Sequence, residues 1–81
     1  MPAQTLYIVQ QFEKQGKRLI AGQTLQFKHA ASAIERANRD ASRFPGVVAV
    51  QQTVDTETGE VLEEPTVLAR HGEVPQEFRE E

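Results

Sequence analysis

Hydrophobic and polar positions change their period along this chain, and each change marks an element. Leu6, Ile8 and Phe12 share one parity, while Tyr7 and Val9 take the other. A stretch this rich in β-branched and aromatic residues predicts a strand whose two faces are both partly apolar. Residues 13–18 are polar and contain Gly16, as a hairpin loop requires. Leu19, Ala21, Leu25 and Phe27 then alternate with Gly22, Thr24 and Gln26, predicting a second, half-buried strand. Gly22 inside it marks a bulge or a close approach of backbone.

The period next lengthens to that of a helix. Ala33, Ile34, Ala37, Ala41 and Phe44 form a stripe dominated by alanine, narrow enough to lie close on a sheet. Ser32 and Glu35 have the spacing of a capping box, with the serine hydroxyl accepting from the backbone three residues on. Glu35 and Arg39 form an i,i+4 pair of favourable sign. Pro45-Gly46 ends the helix, which is expected over about 33–43. Val47-Val48-Ala49-Val50 opens a third strand, running to about Val54. Its unbroken apolar run predicts a place inside the sheet. Residues 55–60 form a turn, Val61-Leu62 return as the second arm of a hairpin, and residues 66–70 form a further short strand. Strand 47–54 or segment 66–70, if left at an edge, could accept a partner's strand.

The expected fold is therefore α+β: an antiparallel sheet of three to five strands in ββαββ-like order, with one helix on one face. Length fits a single domain. A chain of 81 residues buries only about 60–65% of the surface its unfolded form exposes, enough for one modest core. Residues 1–72 are expected to form that domain and residues 73–81 an acidic, disordered tail.

Composition narrows the function classes. With no cysteine there is neither a disulfide nor a thiolate metal site. The first residues lack the basic and apolar regions of a secretory signal. The longest apolar run, Val47 to Val50, falls far short of the roughly 20 residues of a membrane span. A cytoplasmic protein with no membrane association is the expectation. The net charge of −3 divides into +4 over residues 1–54 and −7 over residues 55–81. Such a split suits an anionic partner for the basic part, or mutual attraction of the two parts, and the second is favoured here.

Candidate chemistry is sparse. His29 and His71 have no metal-ligand spacing and are expected as exposed loop residues. Ser32 is better explained as a cap than as a nucleophile, and neither Ser32 nor Ser42 lies in a nucleophile elbow. Glu63 and Glu64 are adjacent and would point apart in extended backbone, which is wrong for sharing a proton. The glycines build no phosphate-binding loop. Neither catalysis nor a cofactor is expected. The candidate partner surface is the row of Arg36, Arg39 and Arg43, at helical spacing, preceded by Lys28 and His29. Glu35 and Asp40 interrupt that row, and the pI near 5.4 is far from that of a nucleic-acid domain.

The segments 6–12 (Leu-Tyr-Ile-Val-Gln-Gln-Phe), 32–37 (Ser-Ala-Ile-Glu-Arg-Ala), 45–50 (Pro-Gly-Val-Val-Ala-Val), 55–60 (Asp-Thr-Glu-Thr-Gly-Glu) and 67–75 (Val-Leu-Ala-Arg-His-Gly-Glu-Val-Pro) together resemble a group of short bacterial proteins of unknown function. The similarity spans most of the chain, but its motifs are caps and turns and imply no activity. The opening Tyr-Ile-Val-Gln-Gln-Phe before an alanine-rich helix is also similar to sporulation-related peptidoglycan-binding repeats. Those use a second helix and an exported location, and no binding residue carries over. The functional expectation is a small non-enzymatic protein-interaction module, with an unknown protein or a second copy as partner. A nucleic-acid or other polyanion binder using the arginine row is the alternative.

Overall fold

The structure, a computed structural model, describes residues 3–75. Strands β1 (Ala3–Gln15) and β2 (Arg18–Phe27) form the first hairpin, and helix α1 (Ala30–Asp40) follows. Strands β3 (Gly46–Asp55) and β4 (Thr66–Gly72) complete the fold. The order across the sheet is β2-β1-β3-β4, with every neighbouring pair antiparallel. The α+β class and the ββαββ order expected from the sequence are those observed.

The alternation of each strand sorts its side chains onto two faces. Val9, Val47 and Ala49 point to one side and meet Ala33 and Ala37 of the helix, all fully buried. Alanine at both helix positions lets the axis sit low on the sheet, and Leu25, Phe27, Phe44, Leu68 and Ala69 fill in around it. Phe12, Val48 and Val50 point to the opposite side and form a second cluster with Val74. The run from Val47 to Val50 is thus buried on both faces, as its composition predicted, because β3 lies inside the sheet. It is not an edge; the edges are β2 and β4.

Both edge strands carry a bulge. Gln11 of β1 faces the pair Gly22 and Gln23, since Gln10 is opposite Thr24 and Phe12 opposite Ala21. A Cβ on Gly22 would stand 3.2 Å from the Gln11 carbonyl oxygen, so glycine relieves the close approach that the sequence marked. Gln10 staples the bulge: its Nε2 donates to the carbonyls of Gln11 at 2.9 Å and Gly22 at 3.1 Å, while its Oε1 accepts from Thr24 Oγ1. On β4 the extra residue is Leu68, between Val67 and Ala69.

Three sequence expectations need correction. The helix begins at Ala30, its N-cap is His29 with extended backbone, and no side chain caps it. Ser32 lies exposed inside the first turn. The reason is that β2 runs to Phe27 and the following Ala30-Ala31 are strong helix formers, so the chain turns into the helix at once. The i,i+4 ion pair of the helix is Arg36–Asp40, at 3.0 Å. The second arm of the later hairpin shrinks to one bridge between Val54 and Val61, made by bonds from the Leu62 amide to the Thr53 carbonyl and from the Asp55 amide to the Glu60 carbonyl. Buried Asp55 organises the intervening turn by accepting from the amides of Glu57 and Thr58.

The chain crosses the end of the sheet at one tight point. Gly46 and Gly72 are paired across β3 and β4, and a Cβ on Gly46 would fall 1.6 Å from the Glu73 carbonyl oxygen. Gly72 has φ +68° and packs onto the Pro45 carbonyl, which accepts from the Glu73 amide at 2.9 Å. This crossing delivers Val74 to the face away from the helix, where it is 1% exposed. Lys14 at the end of β1 pairs with Glu73 at 2.8 Å. Of the acidic tail expected over 73–81, residues 73–75 are therefore described, and residues 76–81 lie outside the described residues.

Candidate functional site

The arginine row expected on the helix is divided by what each member touches. Arg36 donates through Nε to Asp40 Oδ2 at 3.0 Å, and Asp40 is 1% exposed. The same oxygen accepts from Gln11 Nε2 of β1 at 2.7 Å. A carboxylate in the last turn is opposed by the helix dipole, so this one needs its donors. Burial alone would push the Asp40 carboxyl up. The two hydrogen bonds, from Gln11 and Arg36, and the positive charges of Arg36 and Arg43 outweigh it and hold the group below its ordinary 3.8. Arg36 is thereby committed to joining helix and sheet.

Arg39 is exposed on the helix and Arg43 lies in the turn beyond it, exposed as well. A shallow notch of about 180 Å³ is bordered by Phe27, Ser32, Glu35, Arg36 and Arg39, so a carboxylate stands among the arginines. Lys28 and His29 are exposed in the short turn from β2 to the helix. The five candidate residues thus lie along the helix and its two ends, and Arg36 is the member occupied internally.

The histidines separate. His29 is the exposed helix N-cap. His71 is not a loop residue as expected: it sits half-buried in β4, with Nε2 2.7 Å from Asn38 Oδ1 of the helix. Among the described residues no three His, Asp or Glu side chains are grouped to hold a metal ion. Glu63 and Glu64 are both exposed.

The face of the sheet away from the helix holds a groove of about 600 Å³, bordered by Ile8, Phe12, Val48, Val50 and Val67, with Glu64 and Pro65 at one side. Its floor is apolar because the second face of β1 and β3 is apolar. Ala21 of β2 closes the opposite side.

The two sheet edges differ in chemistry. β4 is short, is preceded by Pro65, and carries Arg70 and His71. Charged side chains and proline of this kind discourage strand pairing. β2 is ten residues long, and from Leu19 to Phe27 it carries neither a charge nor a proline. Ile20, on the helix side of β2, is 39% exposed, because the helix packs on β1, β3 and β4 more than on β2 and leaves this end of β2 uncovered. Sequence reasoning passed over β2 as a site. The uncharged run was visible between Arg18 and Lys28, but not that this strand would be an edge.

No family model, no curated protein and no solved structure matches the chain, so its resemblance to short bacterial proteins rests on the quoted residues alone.

Proposed function

We propose that this chain is a non-enzymatic protein-binding module of the bacterial cytoplasm, which takes an extended segment of a partner protein as an added strand along β2. One observation carries the reading: β2 is a ten-residue edge whose residues 19–27 lack the charges and prolines that keep edges apart. Strand addition draws affinity from main-chain hydrogen bonds and selectivity from alternate side chains. Ile20 and Leu25, on the helix side, are the apolar positions available for that selectivity. Arg36 is held by Asp40, which weakens the polyanion alternative by withdrawing one of its three arginines.

The test is hydrogen exchange of the chain, at a concentration low enough that it is monomeric, with and without a synthetic uncharged peptide copying residues 19–27. Added protection confined to β2 amides is expected. Protection centred on β4 or on the groove-lining strands, or none anywhere, refutes strand addition at β2.

A further inference from the structure

We infer that the strand added along β2 is β2 of a second copy, so that two chains share one continuous eight-stranded antiparallel sheet. This inference rests on the strand-addition reading above and names its partner. The argument is one of self-complementarity about a two-fold axis. Antiparallel pairing requires residues directly opposite each other to lie on the same face. In β2 the cross-strand partners of β1 assign Ile20, Leu25 and Phe27 to the helix side, opposite Glu13, Val9 and Tyr7. Leu19, Ala21, Thr24 and Gln26 lie on the other side, opposite Lys14, Phe12, Gln10 and Ile8.

An axis between Gly22 and Gln23 brings Ile20 of each copy opposite Leu25 of its partner, both on the helix side. It brings Leu19 opposite Gln26 and Ala21 opposite Thr24, all on the other side. Every pair faces correctly over the whole strand. The bulge is what makes this possible: by inserting one residue at Gly22-Gln23 it reverses the alternation at the axis, and an unbulged strand paired about the same point would mismatch throughout. Ile20, 39% exposed in the single chain, gains a cover. No like charges meet within residues 19–27, since the segment has none.

Charges do meet just beyond it. Lys17 and Arg18 of one copy approach Phe27 and Lys28 of the other at both ends of the paired strands. Self-pairing should therefore tighten as salt screens those ends, the opposite of a polyanion contact. A strand-to-strand contact of ten residues falls below the area of standard interfaces, about 1,200 Å² in total, so the expected dissociation constant is micromolar.

The experiment is sedimentation equilibrium of the full chain up to about 1 mM, at low and high salt, for wild type, Ile20→Lys and Thr66→Lys. Lysine at position 20 stands opposite Glu13 across the hairpin, so the single chain tolerates it, and circular dichroism verifies the fold. Expected are a wild-type dimer, at least a ten-fold weaker one for Ile20→Lys, and no change for Thr66→Lys on the β4 edge. A dimer insensitive to Ile20→Lys, or lost with Thr66→Lys, overturns the inference. So does a chain that stays monomeric. In that last case the 19–27 peptide separates the two ideas: protection of β2 by the peptide leaves strand addition standing with another partner, and its absence removes both.

Discussion

Substituting Gly46 by alanine should destabilise the protein by expelling Val74, two strands away in sequence. A Cβ at position 46 would lie 1.6 Å from the Glu73 carbonyl oxygen and 2.7 Å from its carbon. Both are main-chain atoms, so no side-chain rotation relieves the clash. The least disruptive response is for residues 73–75 to lift from the sheet end. That exposes Val74, now 1% exposed, at a cost of about 2 kcal/mol. It also breaks the bond from the Glu73 amide to the Pro45 carbonyl, worth about 1 kcal/mol. The Lys14–Glu73 pair joins exposed side chains and adds little. Stiffening of the unfolded chain by alanine returns about 0.5 kcal/mol. The net loss is about 2–3 kcal/mol, which at this size lowers Tm by about 10–20 °C.

The mechanism is separable from the magnitude by a double-mutant cycle in urea. Val74→Ala alone removes two buried methyl groups, costing about 2 kcal/mol. If Gly46→Ala acts by releasing Val74, the second substitution has little left to remove, and the double variant is about as stable as Gly46→Ala alone. Additive losses would refute the proposed route, and a Gly46→Ala variant within about 0.5 kcal/mol of wild type would refute the close approach itself.

Asp40 links stability to pH. Its folded carboxyl is held below 3.8, so near and below that value the unfolded chain binds more protons. The contribution is present at neutral pH and is lost as pH falls through the folded value; Asp40→Asn should flatten the acid limb of a pH–Tm profile, and an unchanged limb contradicts the assignment. Asp40→Ala leaves the Gln11 amide buried without its acceptor and should cost about 1–3 kcal/mol in urea unfolding. Since Ser32 caps nothing, Ser32→Ala should be neutral or slightly stabilising, by up to about 0.5 kcal/mol, whereas a true cap would cost about 1. His29→Asp at the real N-cap should add about 0.5–1 kcal/mol of thermal stability. Arg39→Glu with Arg43→Glu, which spares the Arg36–Asp40 pair, should leave retention on a heparin or RNA column at low salt unchanged; a clear loss would favour the polyanion alternative.

Legibility in the sequence followed the range of the interactions. Strands 1 to 3 and the alanine stripe rest on periodicity over a few residues, and they were readable for that reason. The helix start was not, because Ser32 and Glu35 satisfy a local capping rule while the end of β2 and Ala30-Ala31 decide where the turn happens. Val74 was hidden by its acidic surroundings: nothing near it indicates that Gly46 and Gly72, far apart in sequence, let the chain pass beneath the sheet. The commitment of Arg36 was hidden likewise, since Gln11 on β1 helps to hold the carboxylate that binds it. For the candidate site, the chemistry of β2 was legible in the sequence and its position at an edge was not.

The charge split between the two parts of the chain illustrates the same distinction and bears on function. Attraction between residues 1–54 and the acidic remainder was the favoured use for it. Lys14–Glu73 does join the two parts, but between side chains 43% and 52% exposed, where such a pair contributes at most about 1 kcal/mol. The Gly46–Gly72 crossing and the burial of Val74 hold that junction more firmly than charge does. The charges at the two ends of β2 are exposed and can act between molecules. Lys17, Arg18 and Lys28 flank the uncharged run of β2 at both ends, so they set which strands may add there. An acidic-ended extended segment would be drawn in at low salt, and a second β2 would be held off until salt rises. The ionic-strength dependence of association therefore identifies the class of partner before any partner is known.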